Sequence, residues 1–323
     1  MKVVIEPRRS GNVLATTAMG GDYYNNWYTY AFPSWKIYCE RHGLGLVAFD
    51  KDLLSTDDEY WKKANWQKLL IGEVLAKSLP NVRNVCFIDT DFLVNPYGES
   101  VFDSYNENFI GLVSKRNNLP YSGESANRRI AFNRNRYYDS SYPLDSSLFM
   151  SKDQVYEYHD LPPQPDEACS GFFVFNIANH SKVLGKIFRT YKKDVESITN
   201  GGDQTHFNYE IQSRKLVQWF DYRFQAIWIY EMAWKYPFLY DLKNNDMRVV
   251  RECIRASLLS NVFLHFGGSW YESEMWKQVN LFDDPIQTQM DKEFFEYINK
   301  PVTGSPVGMK RPRKNVGSKQ IEV

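Results

Sequence analysis

An α/β fold on a Rossmann-like sheet is predicted for this 323-residue chain by three observations. Short apolar runs rich in β-branched residues alternate with longer segments of helical spacing. The opening order is strand, glycine turn, helix, strand. A later run, Val85-Cys86-Phe87-Ile88, leads straight into Asp89-Thr90-Asp91. In such sheets ligands sit beyond the carboxyl ends of the strands, so polar residues just after each strand are the candidates for chemistry.

The first strand spans Asn12 to Met19 and closes on Gly20-Gly21-Asp22. Trp27 to His42 has helical spacing, interrupted near Pro33, and Gly43 supplies its stop. Leu44 to Phe49 is the second strand, ending in Asp50. No G-x-G-x-x-G follows the first strand, so a dinucleotide fingerprint is absent. Asp57 to Lys77 reads as an amphipathic helix with Trp61, Trp66, Leu69, Leu70 and Val74 on one stripe and Lys68 within it. An exposed lysine is the ordinary outcome for such a position.

Asn84 to Asp91 is the third strand and is too short and too uniformly apolar for a helix, which fits burial on both faces. Strand side chains alternate, so Asp89 and Asp91 leave its carboxyl end on one side. Two adjacent carboxylates at the end of a buried strand require a cation or open water. Paired acids suit Mg²⁺ or Mn²⁺, which complete their shells with water and phosphate oxygens. A solvated turn is the plainer alternative for the tripeptide alone.

Composition narrows the classes. Lys plus Arg equals Asp plus Glu at 39 each, so global charge does not point to nucleic acid or an anionic membrane. Cys39, Cys86, Cys169 and Cys253 are widely spaced, without a Cys-x-x-Cys pair or zinc spacing, and read as reduced structural residues of a cytoplasmic protein. Met1 to Asn12 is charged and lacks a signal core, and no apolar run reaches membrane-span length. These features point to a cytosolic, or a viral or bacterial, setting. Aromatic content is high at 16%, compatible with sugar-stacking surfaces as well as with an aromatic core.

Phe109 to Val113 is a fourth strand, after which regularity is expected to stop. Residues 115–165 are polar and carry Arg128, Arg129, Arg134 and Arg136, and read as an inserted loop or lid. These arginines suit a phosphate-bearing or acidic acceptor, or a solvated variable loop. Cys169-Ser170-Gly171-Phe172-Phe173-Val174-Phe175-Asn176 is a buried strand preceded by a small residue and a glycine that allows close backbone approach. A basic amphipathic helix follows over about residues 181–197. Gly201-Gly202-Asp203-Gln204 opens another helix with Asp203 as its cap. Asn261 to Phe266 is a last buried strand, with His265 at its end before Gly267-Gly268. From Pro301 the chain reads as a flexible basic tail containing Lys310 to Lys314. A single domain over 12–298 is therefore expected.

In this order, an apolar strand ending in Asp-x-Asp, a Ser-Gly-strand-Asn run, an Asp-Gln helix start and a strand-end His-Phe-Gly-Gly resemble nucleotide-sugar glycosyltransferases of the GT-A fold. The likeness is to the retaining glycogenin and galactosyltransferase groups. It covers roughly residues 12 to 277 as short motifs. Cys169 stands where the pattern has Asn, and the Lys-Pro that should follow the histidine is missing. The resemblance implies a GT-A mixed sheet flanked by helices. It also implies a Mn²⁺ or Mg²⁺ ion on Asp89, Asp91 and His265, and Asp203 and Gln204 at the sugar and acceptor side. Donor contacts are implied for Thr17, Ala18, Tyr23 or Tyr24, Lys68, Asp89, Gly171, Gly268 and Lys277. The implied reaction moves a sugar, with retention, from a UDP- or GDP-sugar to a hydroxyl on a glycan, protein or small molecule. Nucleic acid is disfavoured as acceptor. Two other classes stand beside it: a nucleotidyltransferase, which lacks here its Gly-rich start with Arg and Lys, and a non-catalytic carbohydrate-binding relative.

Overall fold

The computed structural model describes residues 1–138, 148–191, 202–243, 246–268, 270–278, 281 and 285–298. The expected basic tail over 301–323 lies outside them.

Ten strands form two sheets among the described residues. They are β1 (Lys2–Ile5), β2 (Asn12–Thr17), β3 (Gly45–Phe49), β4 (Asn84–Ile88), β5 (Phe92–Val94), β6 (Ile110–Val113), β7 (Phe172–Asn176), β8 (Val217–Phe220), β9 (Ala226–Ile227) and β10 (Phe263–His265). The larger sheet has the order β1-β3-β2-β4-β7-β6-β8 and the smaller β5-β10-β9. β2, β3 and β4 run parallel, β7 runs against β4 and β6, and β8 is parallel to β6. The carboxyl ends of β2, β3, β4, β6 and β8 therefore share one rim with the start of β7. This is the mixed α/β sheet flanked by helices that the sequence anticipates, plus an antiparallel edge strand, β1, that it did not reveal.

Strand residues are buried on both faces, and alternation divides them between two cores. Leu14, Leu46, Cys86, Ile88, Phe172 and Val174 face one layer. Val13, Val47, Val85, Phe87, Phe173 and Phe175 face the other. Burying a large apolar side chain contributes about 1.5–3 kcal/mol, so this double layer is the main source of stability.

Helices follow local signals where the signals are strong. α1 (Gly21–Asn26) passes through a π turn at Trp27–Ala31 into α2 (Phe32–His42), with Pro33 in its first turn, where its missing N–H costs nothing. Gly43 ends α2 in the left-handed region at φ 65°. The helix expected over 57–77 begins only at Ala64: α3 (Ala64–Gln67), a 3₁₀ turn at Lys68–Leu70, then α4 (Ile71–Ser78). Residues 57–63 are turn and coil because Asp57 and Asp58 sit in local turns and Trp61 donates to Asp52.

The segment 115–165 is not an irregular excursion. It contains α5 (Gly123–Tyr137), capped by Ser122, and α6 (Lys152–Tyr158), held by a Ser151/Gln154 capping box. α7 (Ile177–Thr190) starts four residues earlier than expected, because the Asn176 side chain accepts from Asn179 N–H and opens it. α8 (Gln204–Ser213), α9 (Trp228–Lys235), α10 (Met247–Ser260), α11 (Tyr271–Glu274) and α12 (Pro285–Ile298) complete the described helices. Among the described residues, no helix is long and apolar enough to cross a membrane.

Candidate active site

The rim where strands end is also where polar side chains meet. β4 stops at Ile88, so Asp89-Thr90-Asp91 is a link between the two sheets rather than the last turn of an extended strand. Asp89 N–H donates to Gly171 O at 2.9 Å, tying the acid to the start of β7. Asp91 O accepts from Phe266 N–H at 2.9 Å, tying the second acid to the end of β10. β10 runs against β5 with His265 opposite Phe92. These pairings bring Asp89, Asp91 and His265 together, with one ligand atom of each within 4.8 Å of the others.

His265 is oriented from three sides. Phe92 stacks on its ring at 4.2 Å and 12°. Its Nδ1 lies 3.4 Å from the Gln225 amide and 3.8 Å from Cys169 Sγ. Its Nε2 lies 3.4 Å from Asp91 Oδ1, which is buried and has no hydrogen-bond partner among the described residues. Gly171 and Gly267 preserve the space around this edge. A Cβ on Gly171 would stand 2.7 Å from Asp89 Oδ2 and 2.8 Å from His265 Cε1, and one on Gly267 2.8 Å from His265 Nε2. An orphaned carboxylate oxygen, a second carboxylate and an imidazole nitrogen directed at the same point fit a divalent ion of the Mn²⁺ or Mg²⁺ type.

Burial pushes the Asp89 carboxyl up, Lys68 opposes that, and Asp91 adds to it. Burial works to lower His265, but Asp91 and Cys169 outweigh it and hold the imidazole well above its ordinary range. Without a cation the cluster therefore favours a proton on His265, which a metal ion would displace.

Lys68 is not the exposed residue that its helix suggests. Its side chain is 2% exposed, with Nζ 3.2 Å from Asp203 Oδ2 and donating to Ser170 Oγ at 3.0 Å. Asp203 is 1% exposed and makes no side-chain cap bond to α8, contrary to expectation. Its carboxylate turns inward and accepts from Ser170 Oγ at 3.3 Å instead. Burial raises Asp203 to about 6 against the pull of Lys68.

Gln204 Nε2 donates to Glu167 Oε1 at 3.0 Å. Glu167 also receives Lys115 at 2.8 Å and Arg116 at 2.8 Å, and although burial raises its carboxyl these two cations leave it lowered. Glu167, Lys115, Gln225 and Ser170 carried no recognised role in the sequence. Only Ser170, inside the Ser-Gly run, offered a signal.

Thr17 and Ala18 end β2 at the same rim. Ala15 pairs with Phe87, so two residues further on Thr17 stands level with Asp89. Ala18 is buried, and Tyr23 is 65% exposed. Tyr24 is half-buried, stacked on Tyr28 and covered by Lys2 Nζ at 3.6 Å from its ring. Gly268 has φ 117°, a conformation that favours glycine, and a Cβ there would meet Ser273 Oγ at 2.8 Å. Lys277 pairs with Glu274 and lies 5.8 Å above Trp276; no described contact joins it to the acid pair.

The arginine cluster does not converge. Arg134 is buried on Glu272 at 2.5 Å, Arg128 pairs with Glu124, Arg129 lies over Trp234, and Arg136 lies over Phe132 and Tyr137. All four cysteines are free.

The sequence matches no protein-family model and no curated protein. Among solved structures, the chain is similar to a glycosyltransferase involved in glycosylation of the major capsid of PBCV-1. That likeness has TM-score 0.46 and 10% identity and covers 83% of this chain and 100% of that one. It is also similar to the galactosyltransferase LgtC in complex with donor and acceptor sugar analogs, with TM-score 0.45, 12% identity, and 87% and 99% of the two chains covered. The bifunctional glycosyltransferase WbbM is similar at TM-score 0.44 and 13% identity, over 90% of this chain and 52% of that one.

Proposed function

We propose that the protein is a metal-dependent glycosyltransferase that moves a sugar from a nucleoside-diphosphate sugar, UDP- or GDP-linked, to a hydroxyl acceptor. The observation that carries this reading is the meeting of Asp89, Asp91 and His265 at the rim where the strands end, with Asp91 Oδ1 buried and without a hydrogen bond among the described residues. Asp89, Asp91 and His265 would hold Mn²⁺ or Mg²⁺. Held there, the ion would supply positive charge against a diphosphate leaving group.

The chain's own residues do the remaining work. Gly171 keeps the floor of the site free of a side chain, so a donor can lie against the backbone beside Asp89. Thr17, level with Asp89, and Tyr23 or Tyr24 on α1 just beyond it are assigned to the base and ribose. Gln204 gives one N–H to Glu167, which orients the amide and leaves its second N–H and its carbonyl oxygen, neither with a described bond, to meet sugar hydroxyls. Asp203, anchored by Lys68 and Ser170, fixes the turn from which Gln204 projects. By the resemblance, Gly268 is assigned to the diphosphate side together with Lys277 or an arginine; Lys277 would have to leave Glu274 to reach it. The resemblance to retaining enzymes implies retention at the anomeric carbon, in which case no side-chain base need be dedicated to the acceptor.

The test is thermal unfolding with a panel of nucleotide sugars, with Mn²⁺ or Mg²⁺ and with chelator, while donor hydrolysis is followed in parallel. A UDP- or GDP-sugar is expected to give the largest shift, and chelation or Asp91→Ala should abolish it. Stabilisation that persists unchanged in Asp91→Ala would overturn the assignment.

A further inference from the structure

The cations at the rim are unevenly balanced. Lys68 faces Asp203, with Asp89 close enough to raise its pKa further, so that corner carries no surplus positive charge. Glu167 differs: it is a single carboxylate, 1% exposed, that two cations share. Its Oε1 accepts from Lys115 Nζ at 2.8 Å and Gln204 Nε2 at 3.0 Å. Its Oε2 accepts from Arg116 Nε at 3.2 Å and Nη2 at 2.8 Å. At Glu167 itself one positive charge is left over, because the next carboxylate, Asp166, is taken up by neutral donors: Ser114 Oγ, Asn117 Nδ2 and the Glu167 N–H.

That surplus is fixed and partly open. Lys115 N–H donates to Glu167 O at 2.8 Å, and Ser114 bridges Ala168, so the backbone holds both partners in register. Arg116 spends its planar fork on Glu167 and on Met150 O at 3.0 Å. Lys115 makes one described side-chain bond, and its ammonium carries three donors. Its side chain is 13% exposed and that of Arg116 26%. Lys115 shares Glu167 Oε1 with Gln204, the residue after Asp203, whose carboxylate meets Lys68 and Ser170 next to Gly171, so its charge stands on the side of the rim that holds the acid pair.

We propose that Lys115, steadied by Glu167 and Arg116, forms a subsite for an anionic substituent, a carboxylate or phosphate, on one of the two sugars that meet there. This deepens the glycosyl-transfer reading and rests on it. The shared Glu167 oxygen couples the subsite to Gln204, so a sugar held by Gln204 would present its substituent to the ammonium. Such a charge-assisted contact is expected to favour the anionic sugar about tenfold or more over its neutral counterpart.

Equilibrium binding with Mn²⁺ tests this in two arms. The donor arm compares UDP-glucuronate with UDP-glucose and GDP-mannuronate with GDP-mannose. The acceptor arm compares glucose 6-phosphate and glucuronate with glucose in the presence of UDP or GDP. Wild type is expected to prefer the anionic member in one arm, which identifies the sugar that carries it. Lys115→Gln should bring that preference close to one, and Lys115→Arg should retain it. A ratio near one in both arms of wild type, or a preference that survives Lys115→Gln, overturns the subsite. In either case binding of a neutral nucleotide sugar would leave the glycosyl-transfer reading standing. Failure of every nucleotide sugar to bind removes both.

Discussion

Lys68 Nζ lies 3.2 Å from Asp203 Oδ2 with both side chains almost wholly out of solvent, joining the helix before the acid pair to the turn before Gln204. Burial works against the Lys68 ammonium, but Asp203 and Asp89 outweigh it and hold it raised. Removing one member of a buried pair typically costs about 3–5 kcal/mol because the other charge is left uncompensated. Lys68→Met is therefore expected to destabilise by about that amount in urea unfolding, and Lys68→Met/Asp203→Asn by clearly less. A loss below about 1 kcal/mol for the single variant would mean that the pair is not buried as described.

Gly171 is the second point of leverage. An added Cβ would press on Asp89 Oδ2 at 2.7 Å and on His265 Cε1 at 2.8 Å, two groups that other contacts hold in place. Gly171→Ala is expected to weaken Mn²⁺ binding by about tenfold or more, the range seen when groups supporting a metal site are disturbed. Isothermal titration of Mn²⁺ checks this, and unchanged affinity would argue against an ion at that position.

What could be read in the chain follows physical range. The rim was legible because each strand is a local apolar run and each candidate ligand follows its own run: Asp89 after Ile88, His265 at the end of its strand, Gly171 just before Phe172. The Lys115–Glu167–Gln204 cluster was not legible, since it joins residues 52 and 37 positions apart through side chains with no periodic signature. Lys68 read as exposed because nothing local shows that Ser170 and Asp203 stand over it. The stripe over 57–77 overruns the helix because Trp61 fits its spacing while the indole donates to Asp52 instead. The 115–165 stretch reads as irregular because α5 buries so few apolar residues; Arg134, on Glu272, fills part of its inward face.

Asn208 offers a test of how the Glu167–Gly171 segment is held. Its amide accepts from Ala168 N–H at 2.7 Å and donates to Ala168 O at 2.8 Å and Gln204 O at 2.8 Å, all out of solvent. Asn208→Leu leaves the Ala168 amide groups unpaired, for an expected loss of about 2–4 kcal/mol. Asn208→Asp keeps the acceptor but turns a carboxylate oxygen on the Ala168 and Gln204 carbonyls, so it is expected to lose at least as much as Asn208→Leu. A loss below about 1 kcal/mol for Asn208→Leu in urea unfolding would show that the amide's bonds to Ala168 are not what the position requires.

His206, on the first turn of α8, should make stability depend on pH. Its ring packs against Tyr191 at 4.4 Å and edge-on to His159 at 5.0 Å, and its buried Nδ1 has no hydrogen-bond partner among the described residues. Burial, helped by the charge of His159, lowers it from 6.5 to about 4. A depressed histidine binds its proton more readily in the unfolded chain, so stability is fully present above about pH 6.5 and is lost as pH falls toward 4. The linked loss is about 2 kcal/mol at pH 5 and approaches about 3 kcal/mol below pH 4. Urea midpoints measured from pH 7 to 4.5 should fall in wild type and fall less in His206→Phe, which loses no hydrogen bond of Nδ1. Parallel slopes for the two proteins would show that another group carries the dependence.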